Sequence, residues 1–80
     1  MAGTRDLHNV ALGRAIRRLR KEAGLTQRQL AERAGVPVKE LRLIENGVIN
    51  ADWGTVRHLA KGMKVPLADV FRLSEELAAD

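Results

Sequence analysis

Apolar positions along this chain recur at three- and four-residue spacings, the period of amphipathic helices rather than strands. From about Asn9 to Ala23, the residues Leu12, Ala15, Ile16, Leu19 and Ala23 share one stripe, with Arg14, Arg17, Arg18 and Lys21 opposite. Asn9 or His8 stands where an N-cap belongs, and Gly24 stops this first helix. Arg20 falls at the edge of the apolar stripe, so its stem is expected to be partly buried. A second helix opens with a capping box, Thr26 with Gln29 three residues on. It turns Leu30, Ala31 and Ala34 inward and ends at Gly35, where a positive φ is expected. Val36 then plugs the turn. The third helix runs from Pro37, a good first-turn residue, to Asn46. Val38, Leu41, Ile44 and Glu45 lie on one side of it, and Lys39, Arg42, Leu43 and Asn46 on the other. Asp52 caps a fourth helix that extends to about Gly62, with Trp53, Val56, Leu59, Ala60 and Met63 inward. Pro66 opens a fifth, with Leu67, Val70 and Phe71 inward and no breaker before about Ala78. Leu73 and Leu77 form an i, i+4 pair that a five-helix core does not need. Residues 1–8 are polar, contain Gly3 and have no period. The pattern predicts an all-α fold, a compact bundle of about five short helices, with a flexible arm over 1–8 and one domain over 9–80.

The stretch from Leu25 to Gly47 holds the most information. Two short helices separated by a corner as tight as Gly35 cannot lie antiparallel. They cross steeply, and one is left free to project from the body. This is the layout of a helix-turn-helix at helices 2 and 3, whose second helix enters the major groove of DNA.

Charge follows the same stretch. The chain carries a net +4. Residues 12–47 hold nine Lys and Arg against four Glu, net +5, whereas residues 48–80 hold four basic and five acidic groups, net −1. A basic region is the electrostatic footprint of phosphate binding. Gln27 stands at a helix N-terminus, where free amides and the helix dipole attract phosphate; Arg28 beside it is a second phosphate candidate. Lys39 and Arg42 occupy the outward face of helix 3, where such side chains can donate two hydrogen bonds to guanine. Leu43 lies on that face too, either as a lone exposed leucine or as a partner for a thymine methyl. Arg14, Arg17, Arg18 and Lys21 read as a solvated face that adds long-range attraction.

Five dispersed segments, LGRAIRRLR, GLTQRQLAERAGV, LIENG, a Trp-x-x-Val-x-x-Leu-Ala helix and VPLADVF, together resemble the phage-repressor-like helix-turn-helix family, the type of lambda-like repressors and xenobiotic-response-element regulators. The resemblance runs from about Leu12 to Phe71. It implies sequence-specific binding of double-stranded DNA by a transcriptional regulator, usually a homodimer on a palindromic operator. It implies that Gln27 meets the DNA backbone, that Val38, Lys39, Arg42 and Leu43 are the base-reading positions, and that Asn46 touches phosphate. It also implies a partly buried salt bridge between Arg20 and Glu45; bracing is the simpler role for Arg20, reaching a phosphate the second. Pro37 departs from the family, which often has Ser or Thr there, so one hydroxyl contact to phosphate is expected to be missing. Leu73 and Leu77 are the candidate dimer seam.

Other classes find little support. There is no cysteine. His8 and His58 stand alone, without a paired carboxylate, nucleophile or metal-ligand spacing, and no glycine-rich loop could cradle a phosphate. Neither an enzyme nor a cofactor or metal site is expected. No apolar run approaches the ~20 residues of a membrane span, and the N-terminus lacks the order of a signal peptide. The expected setting is therefore cytoplasmic, on the nucleoid. The competing reading is a protein-interaction module, antitoxin-like or an adaptor, that keeps the fold without reading DNA.

Overall fold

The computed structural model describes residues 7–79, with side chains from Asn9 onward. Five helices follow one another: α1 (Leu7–Glu22), α2 (Gln27–Ala34), α3 (Val38–Glu45), α4 (Trp53–Met63) and α5 (Leu67–Ala78). No strand occurs among the described residues. Ile16, Leu30, Leu41, Ile44, Val56, Leu59 and Val70 are wholly buried and come from all five helices. α1 lies mainly along α5 and also meets α3, while α2 packs on both α3 and α4. α3 and α4 scarcely touch, so α2 stands between them.

Local chemistry sets the helix ends. Thr26 Oγ1 accepts from the Gln29 amide (3.0 Å), and the Gln29 side chain accepts from the Thr26 amide (2.9 Å), completing the capping box. Gly35 ends α2 at φ 70°. Its left-handed backbone, costly for a residue with a Cβ, makes the corner into α3. Asp52 accepts from the Thr55 amide (2.7 Å) at the start of α4. That bond holds the Asp52 carboxyl below its ordinary range, with nearby His58 a smaller influence in the same direction.

Four expectations are corrected. α1 begins at Leu7, so Asn9 and His8 lie inside the helix rather than at its cap; nothing from Leu7 to Asn9 breaks a helix. The rest of the expected arm, residues 1–6, falls outside the described residues. Pro37 is the residue before α3 (φ −59°, ψ 138°), not its first helical residue, and Ala23 is exposed. Trp53, expected in the core, is 62% exposed. Its angle on the helical wheel does match Val56 and Ala60. It is the first residue of α4, however, and stacks on Phe71 (centroids 5.4 Å apart, planes 16°) with most of its surface left open.

Candidate nucleic-acid interface

α3 is clamped on its inner side and open on its outer side. The clamp is ionic. Arg20 Nε donates to Glu45 Oε2 (2.7 Å), Arg20 Nη2 to Glu45 Oε1 (3.0 Å) and Arg20 Nη1 to the Leu25 carbonyl (2.8 Å). Glu45 Oε1 also accepts from Gln27 Nε2 (2.9 Å). The two charged side chains are 9% and 1% exposed. Planar guanidinium and carboxylate meet as two forks, the strongest neutralising geometry available to them. The network ties α1, the loop at Leu25, the start of α2 and the end of α3 together. Each of the three guanidinium nitrogens of Arg20 is thereby hydrogen-bonded within the fold, the bracing role.

Gly13 supplies the second half of the clamp. A Cβ there would overlap the Ile44 carbonyl oxygen and stand 2.9 Å from that of Glu45. α1 therefore touches the last turn of α3 backbone to backbone. The signal for this was present in the sequence, since an isolated glycine inside a helical pattern usually marks a close approach. The reading of apolar stripes passed over it, and it passed over Leu25, which is also buried.

On the open side, Lys39, Arg42 and Asn46 are exposed, as is Arg28 at the start of α2. Val38 and Leu43 are half-buried, and Val38 packs against the core cluster. Leu43 is thus less exposed than expected: it stands on the shoulder of the helix, not at its crest. Gln27 is half-buried because its amide turns toward Glu45. The amides of Gln27 and Arg28 nevertheless precede the first backbone bond of α2, from the Leu30 amide to the Thr26 carbonyl (3.0 Å), so they remain available donors at a positive helix end. Arg28, Lys39, Arg42 and Asn46, three of them cations, are thus exposed at the two helices that the clamp ties together. Leu73 and Leu77 lie elsewhere. Both are half-buried and share a stripe of α5 with the fully buried Val70.

This fold and face define a helix-turn-helix unit. The helix-turn-helix domain family matches residues 11–73 of the chain, and the chain belongs to that family, in its lambda-repressor-like branch. It is 33% identical over 66 residues to the competence pilus inhibition repressor of Acinetobacter baylyi, a match covering 82% of this chain and 60% of the relative. The chain thus spans about three fifths of that relative's length. Among solved structures it resembles the clp gene regulator ClgR of Corynebacterium glutamicum (28% identity, TM-score 0.88, 95% of this chain and 81% of that one). It also resembles the restriction-modification controller protein C.AhdI of Aeromonas hydrophila (27% identity, TM-score 0.77, 79% and 96%). The family is a helix-turn-helix family, and these relatives are by name a repressor, a gene regulator and a controller protein rather than enzymes. Among the described residues, no helix is long and apolar enough to cross a membrane.

Proposed function

We propose that the chain is a sequence-specific transcriptional regulator that places α3 in the major groove of double-stranded DNA. One observation carries the reading. Lys39 and Arg42 are exposed on the outer side of α3, while its inner side is locked by the buried Arg20–Glu45–Gln27 network. Rigidity behind and cations in front are what a groove-reading helix needs. In this reading Arg28, Asn46 and the first amides of α2 hold phosphates and set the register, with the half-turned Gln27 adding a second-amide contact. Arg42 and Lys39 read base edges, and Leu43 and Val38 meet thymine methyls from the shoulder of the helix.

The regulator acts as a homodimer on a palindromic operator, its two α3 helices reaching half-sites about 34–36 Å apart. Leu73 and Leu77 already lose surface to their own chain. The most exposed large apolar side chain is Trp53, stacked on a Phe71 that itself packs against the core, and we place the dimer seam at Trp53.

A salt titration of DNA binding tests the reading. A dimer with six or more phosphate contacts loses about a thousandfold in affinity between about 50 and about 200 mM salt, linearly on a log–log plot. Absence of binding to any duplex at the lowest salt would hand the fold to the protein-interaction reading instead.

A further inference from the structure

A second basic surface lies away from α3. Two adjoining grooves flank the outer side of α4, one against the start of α5 and the other against the end of α2. They share His58, Lys61 and Lys64; Arg57 lines one and Arg33 the other. No carboxylate lines either groove. Arg57, His58, Lys61 and Lys64 are exposed. Arg33, also exposed, directs Nη1 to the Gly62 carbonyl (3.4 Å). The seam closes tightly beneath them, because a Cβ at Gly62 would stand 2.9 Å from the Leu30 side chain and 3.4 Å from that of Arg33. No residue of α3 lines either groove, so this surface is distinct from the one that carries Lys39 and Arg42.

The pattern of charge chooses the occupant. Arg57 and Lys61 stand at i and i+4 on one face of α4, about 6 Å apart along its axis, and Lys64 follows at the left-handed residue that ends the helix. A duplex presents one phosphate charge per ~1.7 Å of axis, so such a row meets several phosphates at once. Protein interfaces are instead depleted of Lys and depend on aromatic anchors, and no aromatic residue lines these grooves. The basic row on α1 (Arg14, Arg17, Arg18, Lys21) differs: it belongs to one helix and includes Glu22.

We propose that the basic outer side of α4, with the grooves that flank it, is a second phosphate-binding face, which holds the backbone of another DNA segment while α3 reads its own. The inference rests on the DNA-binding reading above.

The test uses the full chain bound to a bead-tethered duplex selected from a random pool, followed by a fluorescent random-sequence duplex. Wild type is expected to retain the second duplex. Arg57→Glu with Lys61→Glu is expected to hold the tethered duplex as tightly as wild type yet lose capture of the second by about tenfold or more. Arg57→Gln with Lys61→Gln should show an intermediate loss, and circular dichroism checks that each variant is folded. No capture by wild type overturns the proposal, as does undiminished capture by the Glu variant, which would assign bridging to the two α3 helices of a dimer. Capture of fluorescent polyglutamate in place of duplex also overturns it, in favour of an acidic protein. Failure to bind even the tethered duplex would sink the DNA-binding reading itself and this inference with it.

Discussion

The junction behind α3 and the outer surface of α4 and α5 are built on opposite plans. At the junction the three guanidinium nitrogens of Arg20, both oxygens of Glu45 and the side-chain nitrogen of Gln27 are all hydrogen-bonded. There the helices meet backbone to backbone at Gly13. At the α4–α5 surface a tryptophan lies 62% exposed against one phenylalanine. The first region spends its chemistry on fixing one geometry. The second leaves its chemistry open to a partner. A domain of this size has little core to spare, so rigidity is concentrated where the recognition helix is aimed.

The largest expected effect lies at the junction. Glu45→Ala leaves Arg20 buried without its carboxylate and is expected to lower unfolding free energy by about 3–5 kcal/mol, measured by urea denaturation. A loss below about 1 kcal/mol, typical of an exposed pair, would mean that the network does not hold the fold. Asp69 and Arg72, exposed and 3.6 Å apart, provide that exposed reference within the same molecule.

Gly13→Ala comes next. The added methyl group must push α1 off the Ile44 and Glu45 carbonyls, at a cost of about 1–3 kcal/mol by analogy with overpacked cores. Because the shift also moves α3, DNA affinity should fall even at temperatures where the variant is fully folded. Unchanged stability and affinity would show that the backbone contact is not needed.

At the open surface the expectation reverses. Trp53→Ser should leave the thermal midpoint of the monomer nearly unchanged but shift sedimentation from dimer to monomer. Leu73→Glu with Leu77→Glu should instead loosen the fold, since both residues share the stripe of Val70. A stable, folded monomer from the leucine pair, with a dimer surviving Trp53→Ser, would move the seam to α5.

Most of the fold was legible in the sequence because local rules governed it. The capping box at Thr26 and Gln29, the positive φ at Gly35 and the stripes of Leu30, Leu41, Leu59 and Val70 each follow from period and turn chemistry. What was not legible depended on where an element ends against its neighbours. Trp53 had the right angle for burial but stood on the first residue of its helix, and a wheel carries no axial coordinate. Leu43 appeared exposed on the same wheel, yet the adjoining structure half covers it. Gly13 announced a close approach without naming the partner, which lies about thirty residues away in sequence. The Arg20–Glu45 pairing came from the family resemblance. That Gln27 joins it, and so turns partly away from the outer face, required the three-dimensional arrangement.

The central claim is that the locked helix α3 reads bases through its outer face. The most direct measurement is the affinity of Arg42→Ala for a duplex selected from a random pool, set beside its affinity for a random duplex. A base-reading arginine contributes about 1–3 kcal/mol of discrimination. The selected duplex should therefore lose about tenfold or more while the random duplex loses little. An equal loss on both would make Arg42 a phosphate contact and contradict the claim.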